Sequence, residues 1–329
     1  MRVLVLSRND VRAALTPAAC AEAMADVLVA RARGEAYMPL RSVMRPSGAA
    51  GLMGLMPAWR GDRGEGAVFA LKAICLMPGN PARGLDAHQG TVTLFDGETG
   101  QPTAILDASA ITAIRTAAVT ALATRVLARE DARELAIIGA GVQGATHIEA
   151  LRGVRDFEAV RVYAPTAGHV RTLIETAGPG VPVSAAASAE QAVRGADVVV
   201  TVTSSREPVL RREWLAEGAH LNAVGASTPN AREIDVETLA AAALFADSRE
   251  SLRNEAGEYR LAVEQGLIAG EDHVRAELGE VLAGLRPGRA DDQELTLFRS
   301  LGLAVEDLAA AEVALAGARR LGRGTEVEL

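Results

Sequence analysis

Gly139-Ala140-Gly141-Val142-Gln143-Gly144 sets three glycines at a spacing suited to holding the pyrophosphate of a dinucleotide. Gly139 permits a tight turn, Gly141 lets the diphosphate approach the backbone, and Gly144 lets a helix lie close to its strand. The N–H groups at the helix start, Val142 and Gln143 among them, turn a partial positive charge toward the phosphates. Such a string also arises by chance, as a glycine-rich turn with no ligand. Its setting decides between the two. Residues 134–138 are a short apolar run of the buried parallel-strand kind, a helical pattern continues through 147–151, and residues 159–164 form a second strand. The string is therefore read as a nicotinamide-dinucleotide site.

An NAD site usually closes the second strand with Asp or Glu, which holds the ribose hydroxyls. Here the chain reads Tyr163-Ala164-Pro165-Thr166-Ala167-Gly168-His169-Val170-Arg171, with no carboxylate. Thr166, His169 and Arg171 suit a 2′-phosphate instead, so NADP is expected, with NAD as the alternative. Lys72 interrupts the apolar run 67–76, where it either meets a buried anion or snorkels to water from a strand end. Arg115 stands near the start of an alanine-rich helical pattern over 111–129, where its charge opposes the macrodipole and favours an anionic partner. Among the carboxylates, Asp247 ends a strand and reads as a catalytic acid or as a helix cap. Glu255 and Glu258 fall in the following loop, and Glu277 and Glu280 read as a solvated or interdomain face.

The elements that must position these residues change character near residue 115. Before it, residues 1–10 open with a strand too short to serve as a signal peptide or a membrane span. A helix over about 17–33 and a strand over 91–95 follow. A turn at 96–100 then leads to a returning strand over 101–107. This part predicts a mostly antiparallel sheet. Beyond it, strands over 134–138, 159–164, 196–203, 219–225 and 242–247 alternate with helices, the pattern of a doubly wound parallel sheet. The expected class is α/β, a Rossmann-type domain joined to a smaller α+β domain. A chain of 329 residues is long enough for both. The net charge of −8 argues against a nucleic-acid footprint, and ten aromatic residues (Trp 2, Tyr 3, Phe 5) leave little for base stacking. Cys20 and Cys75 are too few for a disulfide framework or a zinc cluster and read as small buried hydrophobes. The cytoplasm is the expected location.

Several stretches in order carry a resemblance: Leu52-Met53-Gly54-Leu55-Met56-Pro57-Ala58-Trp59, Leu71-Lys72, Thr112-Ala113-Ile114-Arg115-Thr116-Ala117-Ala118, the glycine string, Gly218-Ala219-His220-Leu221-Asn222-Ala223-Val224-Gly225-Ala226, Ala276-Glu277-Leu278-Gly279-Glu280-Val281, and Ser300-Leu301-Gly302-Leu303-Ala304-Val305-Glu306-Asp307. Together they resemble the ornithine cyclodeaminase/mu-crystallin family over nearly the whole chain. The resemblance implies a homodimer whose substrate and dimerisation domain comprises residues 1–113 and a C-terminal helix in 301–329, with the dinucleotide-binding domain over 114–300. It implies an amino- or imino-acid substrate whose carboxylate meets Arg41, Lys72 and Arg115, a fit that guanidinium and ammonium chemistry supports. Read from the sequence alone, Arg41 is as well placed on a solvated surface. The resemblance further sets Arg115 and Thr116 on the cofactor phosphates, and Ser300, Leu301 and Gly302 near the nicotinamide and substrate. Thr203 and Ser227 join the cofactor side. Gln89, with His88, lines the pocket or forms an ordinary turn.

Two departures bear on the chemistry. Ornithine cyclodeaminases carry a carboxylate after the Val-Gly-Gly stretch, and Ser227 stands in that place. A second family carboxylate, just before the Met-Pro pair, appears as Gly54. A hydroxyl cannot replace a carboxylate base near neutral pH. The pattern is similar to the ketimine-reductase branch, in which Ser227 holds a water or the imine nitrogen, or else merely caps a turn. The expectation is an NAD(P)H-dependent reductase of a cyclic ketimine (pyrroline-2-carboxylate or piperideine-2-carboxylate) or a related amino-acid dehydrogenase, with Lys72 and Ser227 as catalytic candidates. The alternatives are an ornithine cyclodeaminase releasing ammonia and proline, and a cofactor-loaded dimer without turnover. Nothing in the sequence calls for a metal, a nucleic acid or a membrane.

Overall fold

Local capping starts the first elements. In the computed structural model, which describes residues 1–62, 64, 66–178, 180 and 182–329, strand β1 (Arg2–Leu6) runs into Ser7, whose hydroxyl accepts from the Asp10 N–H at 3.3 Å and begins helix α1 (Arg8–Ala14). Thr16 caps α2 (Pro17–Ala32), with Pro17 at a first-turn position where its missing N–H costs nothing. Strands β2 (Ala36–Tyr37), β3 (Ser42–Met44), β4 (Leu52–Arg60), β5 (Val68–Leu76), β6 (His88–Asp96) and β7 (Pro102–Asp107) follow. Asp107 then accepts from the Ala110 N–H at 2.7 Å and opens α3 (Ala108–Leu127). That helix is apolar enough to cross a membrane by composition, and 78% of its most apolar window is buried inside the fold.

The chain continues through β8 (Glu134–Ile138), α4 (Val142–Leu151), β9 (Ala159–Tyr163), α5 (Ala167–Thr176), β10 (Val183–Ala185), α6 (Ala189–Val193), β11 (Val198–Thr201) and β12 (His220–Ala223). Next come α7 (Val236–Ala241), β13 (Ala243–Ala246), α8 (Arg249–Glu255), α9 (Gly257–Glu264), β14 (Val274–Glu277), α10 (Leu278–Leu282) and β15 (Thr296–Arg299). Helix α11 (Ala304–Leu321) and strand β16 (Thr325–Glu328) close it. Contacts divide the chain into two compact units, Met1–Thr116 with Leu303–Leu329, and Ala117–Gly302.

The first unit is built on a sheet of order β16-β1-β7-β6-β5-β4-β2, with β3 also paired to β4. All its pairs are antiparallel except β1 with β7. The β6–β7 turn is held by Asp96, whose carboxylate accepts from the Thr99 N–H at 2.8 Å. Helix α11 lies against β4, β5 and β6 and against α1 and α2. It is rich in alanine, which lets the backbones approach, and Gly317 marks the tightest point. A Cβ there would stand 2.4 Å from the Ala14 carbonyl oxygen.

The second unit holds an all-parallel sheet of order β10-β9-β8-β11-β12-β15-β13-β14. Strands β11, β12 and β15 are buried along their whole length and β8 from Leu135 on, and in β8 and β11 this two-sided burial reads as a nearly unbroken apolar run. Leu135, Ile137, Val198 and Val200 belong to one core layer, and Ala136, Ile138, Val199 and Leu221 to the other. Polar pairs pin α3 to this sheet. Asn222 donates to Thr124 at 3.0 Å, and His220 bonds Thr296 at 2.9 Å and Asn222 at 3.2 Å. Burial pushes the His220 imidazole down to about 3 and His147 down to about 4, so both stay neutral.

Three expectations are corrected. His88 and Gln89 lie inside β6, not in a turn before it, because the β5–β6 ladder continues to the Leu76–His88 pair. Helix α3 starts at Ala108, so Arg115 lies two turns in, beyond the reach of the macrodipole. Strands β10, β14 and β15 were not foreseen. The fully buried β15 reads Thr-Leu-Phe-Arg, whose polar ends conceal it. The close helix contact at Gly317 yields a test: Gly317→Val should cost about 1–3 kcal/mol of stability, measured by denaturant unfolding, as overpacked cores do.

Candidate functional site

The glycine loop leaves β8 at the point where strand order reverses between β8 and β11, the usual place for a ligand in such sheets. The three glycines answer to different demands. Gly139 has φ +119°, and a Cβ on it would stand 2.5 Å from the Val202 carbonyl oxygen. A Cβ on Gly144 would meet the Gly139 carbonyl oxygen at 2.3 Å. Gly141, by contrast, is the N-cap of α4 with φ −89°, and nothing lies within 4 Å of its would-be Cβ. No side chain caps this helix, whereas Ser188, Asp235 and Ser248 cap α6, α7 and α8. Val142 is 55% exposed at the helix start and Gln143 partly buried. An open, uncapped helix start fits a diphosphate. At the end of β9, Thr166 is the N-cap of α5 without a side-chain capping bond, and His169 and Arg171 are exposed on that helix.

The other second-unit candidates follow the carboxyl ends of neighbouring strands: Thr203 after β11, Ser227 after β12, and Ser300, Leu301 and Gly302 after β15. Carboxylates hold the backbone there. Glu233, 2% exposed, accepts from the Thr203 N–H at 2.6 Å, the Gly225 N–H at 2.5 Å and the Thr201 hydroxyl at 3.0 Å. Burial pushes the Glu233 carboxyl above the usual carboxylate range, against the pull of the Thr203 and Gly225 amides and of Arg299. Asp247 accepts from the Leu301 and Gly302 N–H groups at 2.6 and 2.7 Å. Asp247 is therefore not a helix cap: Ser248 takes that place.

Glu255 and Glu258 are buried in α8 and α9, not in a loop, and Glu258 pairs with the buried Arg299. Glu277 accepts from the Arg249 N–H at 2.7 Å, and Glu280 pairs with the Arg249 guanidinium at 2.7 Å. Both are half-buried and serve helix starts within the second unit.

In the first unit the fold brings Lys72 and Arg115 together. Lys72 Nζ lies 2.6 Å from Asp307 Oδ2, Arg115 Nε lies 2.9 Å from Asp307 Oδ1, and Arg115 Nη1 lies 2.9 Å from Glu306 Oε2. All four are buried, with Lys72 only 3% exposed, so it does not snorkel. Burial lowers the Lys72 ammonium to about 8, opposed by Asp307 and reinforced by Arg115 and Arg41. Burial alone would raise the Asp307 carboxyl, but Arg115 and Lys72 outweigh it and hold it below the ordinary range. Arg41, half-buried, acts on Lys72 through its charge. Thr116 is buried beside Arg115 in sequence.

Gln89 is exposed and donates to the Asp86 carbonyl at 3.0 Å. Strand alternation puts it on the face opposite Lys72, because Lys72 pairs with Val92, three residues on. His88 falls on the Lys72 face instead. Sequence reasoning missed Glu306 and Asp307. The available signal was a pair of adjacent acids set in an otherwise apolar helix, Ala304-Val305-Glu306-Asp307-Leu308-Ala309, which passes for ordinary first-turn compensation of the helix dipole. Glu233 left no such trace among polar loop residues.

The pattern that defines the ornithine cyclodeaminase/mu-crystallin family matches residues 1–318. The chain is 39% identical over 280 residues to the ketimine reductase mu-crystallin of Mus musculus, covering 85% of each. Its fold superposes on the Δ1-pyrroline-2-carboxylate reductase of Thermococcus litoralis, solved with NADH and L-proline, with a TM-score of 0.95 and 35% identity over 99% of this chain and 100% of that one. An archaeal alanine dehydrogenase dimer with bound NAD gives a TM-score of 0.93 and 35% identity over 100% of both chains. With its glycine loop, its buried lysine–arginine cluster and these likenesses, the chain belongs to the ornithine cyclodeaminase/mu-crystallin family.

Proposed function

We propose that this chain reduces the C=N bond of a small cyclic imino acid of the pyrroline-2-carboxylate or piperideine-2-carboxylate type, or of a close amino-acid relative, at the expense of NAD(P)H. The observation that carries the reading is Gly141, the one glycine of its loop that the fold does not need, facing open space at an uncapped helix start. Gly139, Val142, Gln143 and Gly144 complete that cradle, with Thr203, Ser227 and Ser300 on the same carboxyl-end rim of the sheet. NADP is the preferred cofactor, because no carboxylate closes β9 while Thr166 and Arg171 are available to a 2′-phosphate. NAD remains the alternative, since relatives bind NADH or NAD.

When bound, the reduced nicotinamide supplies the hydride that the imine carbon accepts. The C=N electron pair moves onto nitrogen, which in a protonated ketimine already carries its proton, so the reaction balances without a strong protein acid. Ser227 fits this economy: a hydroxyl orients the nitrogen or a water where a cyclodeaminase needs a carboxylate base. Arg41, Lys72 and Arg115 are assigned to the substrate carboxylate, with Arg115 and Thr116 extending to the cofactor. Lys72 and Arg115 are balanced by Asp307 and Glu306, so what they offer is a set of ordered donors with little net charge. Leu301 and Gly302, held by Asp247, shape the substrate side. Gln89 is left without a part by its place on the opposite strand face.

We also assign a homodimer. Tyr37, Met44, Leu55 and Phe69 are exposed on β2, β3, β4 and β5. The strand register turns all four to one face of the sheet, an apolar grouping of the kind that marks an interaction surface, and one relative is a dimer. The cytoplasm is the expected site of action for such a reductase.

Three tests follow from these assignments. Pyrroline-2-carboxylate should drive steady loss of reduced-nicotinamide absorbance. Ammonia and proline formed from ornithine would replace the reading with cyclodeamination, and dinucleotide binding without turnover across a panel of amino and imino acids would leave a carrier protein. Gly141→Val should keep the melting temperature while weakening dinucleotide affinity by about tenfold or more, some 1.4 kcal/mol, whereas Gly144→Val should lose the fold. The third is a pH profile. Lys72 holds its charge below about 8 and sheds it above, so kcat/KM should fall as pH rises through that value. Lys72→Arg, which stays protonated, should move the falling limb upward.

A further inference from the structure

We propose that Glu233 is a positioning residue for this reaction: with Arg299 it clamps the backbone at Gly225 and Ala226 and so sets where the next residue, Ser227, stands. The inference rests on the role assigned to Ser227 above. Residue 226, immediately before that serine, is held at both of its backbone polar groups. Its N–H donates to Glu233 Oε2 at 3.3 Å, and its carbonyl accepts from Arg299 Nη2. The neighbouring Gly225 N–H donates to the same carboxylate oxygen at 2.5 Å. Arg299 also donates to the Ala223 carbonyl at 3.1 Å and to the Ser300 carbonyl at 2.8 Å, and Glu258 holds its Nε.

The other oxygen of Glu233 reaches the cofactor side. Its Oε1 accepts from the Thr203 N–H at 2.6 Å, and the preceding residue, Val202, presents the carbonyl that leaves no room for a Cβ on Gly139. One carboxylate thus ties the strand end that abuts the glycine loop to the turn that delivers Ser227. The joint has no slack: a Cβ on Gly225 would stand 2.3 Å from the Thr203 carbonyl oxygen and 2.6 Å from Glu233 Oε1.

The residue type matters. A carboxylate accepts on both oxygens, while the amide of glutamine would turn two N–H donors toward backbone N–H groups and lose at least one of these bonds. A space-filling role would be met by any side chain of the same shape. A clamp needs the second acceptor. Arg299 meets the equivalent demand from the carbonyl side, since its planar fork reaches several oxygens that a lysine could not span.

The test compares full-length wild type, Glu233→Gln, Arg299→Lys and Ser227→Ala, using NADPH, NADH and pyrroline-2-carboxylate as probes. In Glu233→Gln, amide hydrogen exchange in the peptide 224–228 should rise on the order of tenfold or more, with the glycine-loop peptide 139–144 unchanged. With the same variant kcat should fall on the order of tenfold or more, while KM for the dinucleotide stays within about threefold. Adding Ser227→Ala should bring little further loss of kcat, because both changes remove one function. Arg299→Lys should act in the same direction, and it decides the matter if Glu233→Gln does not accumulate as folded protein. Unchanged exchange at 224–228 in both variants, or faster exchange with undiminished kcat, overturns the proposal. Absence of turnover in the wild type overturns the reductase reading instead, and the exchange measurement then still decides whether the clamp exists.

Discussion

Lys72 and Arg115 lie where water does not reach, so each must take its counter-charge from the protein. That requirement shapes the first unit. An ammonium on a central strand of the sheet is tolerable only if α11 delivers a carboxylate to it, and Asp307 does so within 2.6 Å while also receiving Arg115. Such a group of ions adds little to stability as a whole, since desolvation consumes most of the attraction. Removing one member, however, strands a buried charge at a cost of about 3–5 kcal/mol. The cluster is thus self-enforcing: its value lies in fixed donor directions, and any member's loss is punished by the others.

The second unit obeys the same constraint with the sign reversed. There the buried groups are carboxylates and the partners are mostly backbone N–H groups. Glu233 and Asp247 each hold a segment just past the end of a parallel strand, where the regular ladder stops and backbone donors would otherwise be left unmatched, while Glu258 meets the guanidinium of Arg299 at the end of β15. The sheet gives these segments a common rim, and the acids give each a fixed path. Rigidity at the rim therefore comes from charge-assisted hydrogen bonds more than from apolar contact.

What could be read from the sequence follows from this division. The glycine string, its flanking strand and helix, and the β6–β7 hairpin were legible because local rules govern them: turn chemistry, short apolar runs and glycine spacing. Lys72 was legible as an anomaly in an apolar run. Its partners were not, because Glu306 and Asp307 sit a long way along the chain and look like ordinary first-turn acids. Strand β15 was hidden because its buried arginine reads as polar until Glu258 is found opposite it. Arg115 was misjudged by locating the helix start a few residues late, since the cap that fixes that start is Asp107 at the end of the preceding strand. Gln89 was misjudged through strand parity, which depends on knowing that the ladder runs on past Gly90. Local grammar was visible, then, and long-range charge matching was not.

The rims of the first-unit sheet carry a consequence for self-association. On one side β16 runs antiparallel to β1 and sets Glu326 and Glu328 along the outermost backbone. On the other, β2 and β3 span only two and three residues. Acidic side chains and stubby margins both discourage a further strand from zipping on. These margins disfavour growth of the sheet into an extended ribbon and leave the face that exposes Leu55 and Phe69 as the more favourable surface for broadside contact.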